Sequence, residues 1–179
     1  MTCTCRSVFG LLAALFASAT PAAASEMPAS ISSVSGKFPH SIPRRTIRLR
    51  EVSPLQFGTF TIGKGGGSLT IDPRTGSRTA SGNVAPLGGG YDRGLFEISG
   101  EPGGSFSILM PNEMPMLNRS GRPGILAMRK LASHPPESGM LGPDGKASVG
   151  VGAMLQTVGG KASAGEYTGV FPITIIYNY

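Results

Sequence analysis

The stretch "GEYTGVFPITIIYNY" (residues 165–179) is the most regular apolar–polar alternation in the chain. Tyr167, Phe171, Ile173, Ile175, Tyr177 and Tyr179 share one parity, while Thr168, Pro172, Thr174 and Asn178 share the other. Val170 and Ile176 are the exceptions. A period of two belongs to a half-buried β-strand. Tyr167, Phe171, Ile173, Ile175 and Tyr177 are therefore expected to form the core face of a closing strand. Burial of five such side chains is worth roughly 8–15 kcal/mol before entropy is subtracted. A whole domain is net stable by only about 5–15 kcal/mol. A segment of this kind has to be docked.

Upstream, the same alternation returns in short runs. Thr46–Val52 is one, with Ile47 and Leu49 inward and Arg48 and Arg50 towards solvent, the pattern of a protected edge strand. "FGTFTIG" (57–63), "SLTID" (68–72), "LFEIS" (95–99), "SFSILM" (105–110) and "ASVGVGAMLQTV" (147–158) follow. In the last of these, Val149, Val151, Ala153 and Leu155 share a face with glycine between them. "GKGGGS", "DPRTGS", "EPGG", "GPDGK" and "VGGKASAGE" supply turn residues. "GKGGGS" reads as a hairpin loop, and "EPGG" between two strands as a hairpin turn. "ILAMRKL" (125–131) is a strand or a single helical turn, in the Met- and Pro-rich region 111–136. No sustained i, i+3, i+4 pattern occurs. The expectation is an all-β, immunoglobulin-like antiparallel β-sandwich over residues 44–179.

The N-terminus has a different character. Arg6 precedes an apolar run from Val8 to Ala17, and "TPAAAS" follows, with Ala22 and Ala24 spaced for cleavage after Ala24. This is the pattern of a secretory signal peptide over 1–24. The run falls short of the about 20 residues that a stable membrane span needs. Export to the periplasm, cell surface or medium is expected. Cys3 and Cys5 would leave with the leader, and the mature chain would carry no thiol. Residues 25–43 are rich in Ser and Pro and read as a flexible extension.

The chain carries 16 Lys+Arg against 10 Asp+Glu. Arg44, Arg45, Arg48 and Arg50 cluster, but without interleaved aromatics they do not make a nucleic-acid surface. His40 and His134 have no partners at metal-ligand spacing. In "GKGGGS" the Lys precedes the glycines and no helix follows, unlike a phosphate loop. No nucleophile stands with a base. The expectation is a non-enzyme without metal or cofactor.

Four stretches together carry a resemblance: "LQFGTFTIGKGGGSLTIDPRTGSRTASGNVAPLGGG" (55–90), "FEISGEPGGSFSILMP" (96–111), "GKASVGVGAMLQT" (145–157) and "GEYTGVFPITIIYNY" (165–179). The chain resembles bacterial domain-of-unknown-function family 4402 over most of Leu55–Tyr179, most weakly across Met114–Pro136. The resemblance implies an exported all-β protein similar to fimbrial subunits, and it assigns no catalytic residues.

Two function classes follow. One is a pilin- or fimbria-like structural or adhesive subunit, whose partners are other copies of itself, other fimbrial subunits and a periplasmic chaperone. Subunits of that kind exchange strands, and Ile31, Val34, Ile47 and Leu49 are the anchors of a candidate donor segment. The alternative is a monomeric secreted carbohydrate- or surface-binding module, which the absence of Trp disfavours.

Overall fold

The computed structural model describes residues 2–7, 46–119, 126–157 and 162–178, all within one compact unit. Among them are strands and no helix. In chain order these are β1 (Thr2–Ser7), β2 (Arg48–Ser53), β3 (Gln56–Ile71), β4 (Arg78–Gly88), β5 (Gly94–Ser99) and β6 (Ser105–Leu109). They continue with β7 (Glu113–Asn118), β8 (Leu126–His134), β9 (Ser138–Met140), β10 (Lys146–Thr157), β11 (Gly165–Gly169) and β12 (Thr174–Asn178). The apolar run from Val8, the extension 25–43 with Ile31 and Val34, and Tyr179 lie outside the described residues.

Two sheets form an all-β sandwich. The larger runs β2-β5-β10-β8-β7-β11-β1-β3-β4, and β10 also pairs with the second half of β3, so the sheet curls round on itself. The smaller sheet is β12-β6-β9. Every pairing is antiparallel except β1 with β11. One hydrophobic core joins both sheets: Phe57, Phe60, Phe96, Ile98, Leu126, Met128 and Leu155 from the larger, Phe106, Ile108 and Tyr177 from the smaller.

The closing alternation is real, but it belongs to two strands. β11 lies in the large sheet and β12 in the small one, with 170–173 crossing between them. Parity survives the crossing. Tyr167, Phe171, Ile173 and Tyr177 are buried and Ile175 is half-buried against the core. Thr174 and Asn178 are exposed, as are the two exceptions Val170 and Ile176. Pro172 has no N–H to give a ladder, and it sits where the backbone leaves one sheet for the other. The chain therefore stitches the sandwich together along one continuous apolar face.

β10 is the hub, pairing with β5, β8 and β3. Val149, Val151, Ala153 and Leu155 are buried, as expected for one face. Gly150 and Gly152 between them are buried too. A methyl group at Gly150 would overlap the Pro73 carbonyl, and one at Gly152 the Ile71 carbonyl. Glycine is needed because the end of β3 lies directly across β10.

Two turn assignments are corrected. "GKGGGS" is not a hairpin loop: residues 63–67 lie within β3, where the pairing to β4 shifts register between Ile62 and Gly67. A methyl group at Gly67 would overlap the Ser81 carbonyl, so the glycines allow two backbones to meet at a bulge. "EPGG" does not make a hairpin either, since β5 pairs with β2 and β10 while β6 pairs with β9 and β12. It is a corner between sheets. Local turn chemistry bends the chain but does not say which strand receives it.

"DPRTG" does make the β3–β4 hairpin, and "ILAMRKL" is strand β8. In that hairpin the Asp72 carboxylate accepts from the Thr75 N–H at 2.7 Å, the Thr75 hydroxyl at 3.0 Å and the Arg74 N–H at 2.9 Å. The Thr75 backbone bond, then its hydroxyl, hold Asp72 below the ordinary value of 3.8. β4, β7 and β9 were not legible: β4 is mostly exposed, β7 contains Pro115, and β9 has three residues.

Two outcomes test this fold. Phe171→Ala should lower unfolding stability by about 3–5 kcal/mol, whereas Ile176→Ala should stay within about 0.5 kcal/mol, measured by urea denaturation. A group with a depressed folded pKa contributes stability above its unfolded value and loses it as pH falls through the folded value. The Asp72 carboxyl should accordingly titrate below 3.8 by NMR, with the turn weakening only in stronger acid, and Thr75→Ala should move its midpoint part of the way back.

Candidate functional site

The site is a strand-width slot between the first half of β3 and β11. β1 occupies it. β1 runs parallel to β11, matching Cys3 with Gly165, Cys5 with Tyr167 and Ser7 with Gly169. It runs antiparallel to β3, matching Cys3 with Phe60, Cys5 with Gly58 and Arg6 with Gln56. Residues 2–7, which the leader reading sets outside the fold, thus complete the large sheet. The Thr-Cys-Thr-Cys alternation is compatible with a strand, and both flanking backbones need hydrogen-bond partners.

The register divides the slot into two faces. Odd positions of β1 lie in line with buried Phe60, buried Tyr167 and the glycines 58, 165 and 169. Even positions lie in line with Thr59, Thr61, Glu166 and Thr168, none of them buried. An occupant therefore needs small or apolar residues at alternate positions, polar ones between, and six residues free of proline.

The walls are well held. The Tyr167 hydroxyl donates to the Ser163 carbonyl at 2.8 Å and accepts from the Ser163 N–H at 3.1 Å. This is the arrangement of a tyrosine corner, in which a core tyrosine ties down the chain just ahead of its own strand. A methyl group at Gly169 would collide with the Met116 sulfur, so β11 packs tightly on β7. On the far side, the Arg78 guanidinium donates to the Phe57 carbonyl at 3.0 Å and lies 4.2 Å from the centre of the Tyr91 ring.

The sequence-predicted anchors separate. Ile47 and Leu49 are half-buried against this domain's own core, and β2 is paired to β5 at the edge of the large sheet. They are engaged within the domain. Arg48 and Arg50 are exposed on that edge strand, and Arg50 pairs with Glu97 at 3.2 Å. Ile31 and Val34 fall in the extension outside the described residues. Sequence reasoning missed Phe60, Gly58, Gly165 and Gly169 as slot residues; the alternation at 2–5 is the one signal, in a stretch that reads as a leader.

Other surfaces offer less. A cleft beside the small sheet is lined by Ser107, Ile108, Leu131, Pro136 and Glu137. Among the described residues no group of three or more His, Cys, Asp or Glu stands together as metal ligands. No helix among them is long and apolar enough to cross a membrane.

The family described as "Domain of unknown function (DUF4402)" matches residues 47–177. The chain belongs to this family. The matched region takes in β2 to β11 entire and most of β12, and it excludes β1. No match to a curated protein or to a solved structure was found.

Tyr167→Phe should cost about 1–2 kcal/mol, because the Ser163 N–H and carbonyl both lose a buried partner. Thermal melts would show it, with β-sheet circular dichroism unchanged below the transition.

Proposed function

We propose that this protein is an exported structural or adhesive surface subunit of pilin-like type, assembled by strand exchange and performing no catalysis. The observation that carries the reading is the slot. The strand that completes the large sheet comes from residues that lie ahead of a secretory apolar run, so export with leader cleavage removes it. Two strands would then face each other across about 9.6 Å, twice the ordinary strand spacing. Their unpaired N–H and C=O groups would recruit another extended segment. A domain that matures with one strand missing suits an assembly pathway, with a periplasmic chaperone shielding the slot before other copies or fimbrial subunits fill it.

The second reading is a monomeric secreted carbohydrate- or surface-binding module. Its supporting feature is Tyr91, a large exposed aromatic. Arg78 covers one face of that ring, which leaves it less suited to stacking on a sugar.

The expected outcome is that protein recovered from the exported fraction of a bacterial host runs on size-exclusion chromatography as a ladder of masses at multiples of the mature subunit. A single monomeric peak at high concentration, with any chaperone removed, would favour the binding module.

A further inference from the structure

We propose that the cleft beside the small sheet binds a small organic cation, a primary amine with an apolar tail, its ammonium on the Glu137 carboxylate. This goes beyond the assembly reading and does not depend on it.

The cleft, about 540 Å³, opens between the end of β6 and the second half of β8. Ligand pockets usually fall between about 300 and 1,000 Å³. Two ladders run out here. β7 pairs with β8 only over Leu126–Arg129, so the later residues of β8 are paired on the β10 side alone. At that point Lys130 and Leu131 together oppose Ala153, a bulge that bends the strand. β9 in turn pairs with β6 only over Ser105–Ser107 and does not reach Leu109. Leu109, Met110, Leu131 and Pro136 form the apolar wall of the gap. Leu109 is exposed, and the core covers Met110 and Leu131 only in part.

Glu137 is the one charged side chain lining this cleft among the described residues. Its backbone serves the fold, since its carbonyl accepts from the Ile108 N–H at 2.7 Å. Its carboxylate makes no ion pair or hydrogen bond with any described residue. Its φ is 55°, in the left-handed region where glycine is at ease and glutamate is strained. Glycine would make the same turn without that strain. The turn therefore gives no reason for a glutamate, and the cleft does.

The lining sets the chemistry of the ligand. No cationic side chain lines the wall, so an anion finds no partner. One carboxylate is too few for a divalent metal. No aromatic ring is present to stack on a sugar or to cage a quaternary ammonium. What fits is a cation that keeps its own N–H groups. It donates to the Glu137 carboxylate in a charge-assisted bond. A second acceptor is the Ser133 hydroxyl oxygen, whose proton goes to the Pro135 carbonyl at 2.9 Å. The hydrocarbon tail lies along Leu109, Met110 and Leu131.

The test titrates the full, isotope-labelled chain with hexylammonium chloride by NMR, beside hexanol and hexanoate. Hexylammonium should shift the amides of Leu109, Met110, Leu131, Ser133 and Glu137 saturably. Hexanol should bind about tenfold more weakly, and hexanoate should not bind. Glu137→Gln should weaken the amine about tenfold and leave the urea midpoint unchanged. Glu137→Gly should lose the same affinity while its urea midpoint rises, because the left-handed strain is gone. Equal affinity for the three probes, or undiminished binding to Glu137→Gln, would overturn the role of the carboxylate. Shifts confined to other amides, or none that saturate, would overturn the cleft as the site. A lower urea midpoint in Glu137→Gly would show the glutamate serving the fold and overturn its assignment to a ligand. Nα-acetyl-lysine amide binding more tightly than hexylammonium would overturn the free amine in favour of a lysine from a protein.

Discussion

A strand has two hydrogen-bonding edges, and in the interior of a sheet both must be met. That requirement governs this molecule at β3 and β11, which are not paired with each other. A third strand has to stand between them for the ladder to continue from β11 to the first half of β3. Its position is severe because the neighbours are core residues. Phe60 and Tyr167 flank the slot and are fully buried with β1 in place. An empty slot would leave backbone groups unpaired and bring water to two of the largest side chains in the core.

The rest of the architecture explains why such a slot can exist without collapsing. β10 holds three neighbours at once, so the half of the sandwich containing β5, β8 and the end of β3 does not depend on β1. The Tyr167 hydroxyl and the tight Gly169–Met116 approach fix β11 from its other side. The 170–173 crossing carries the chain into the small sheet with its apolar face still inward. Each wall is secured by contacts outside the slot. The family match spans these walls and does not include β1.

Function follows from chemistry of the backbone more than of side chains. In the function proposed here, the slot takes an extended segment through main-chain hydrogen bonds, with small or apolar groups at alternate positions. Such recognition also explains why motif reading found little to seize on: hydrogen-bonding edges leave no residue-type signature.

How much was legible depended on whether the deciding physics was local. Period-two alternation is local, and it correctly marked β2, β5, β6, β10 and the closing residues, down to the exposure of Val170 and Ile176. The Asp72 turn is local and formed where expected. Pairing is not local. "EPGG" bends the chain as any such turn does, but the partner of β6 was decided by which sheet had an open edge. "GKGGGS" has the composition of a loop, yet became a bulge within β3 because β4 pairs with β3 on both sides of it. The sequence by itself determined the fold class and the inward face of each strong strand, since these rest on side-chain polarity repeating every second residue, and the family, which rests on four motif stretches in order. Only the tertiary structure decided that 165–178 serves two sheets, that Ile47 and Leu49 are engaged at home, and that a strand is wanted between β3 and β11. Those facts rest on hydrogen bonds between segments far apart in the chain, and no stretch of sequence carries both halves of such a bond.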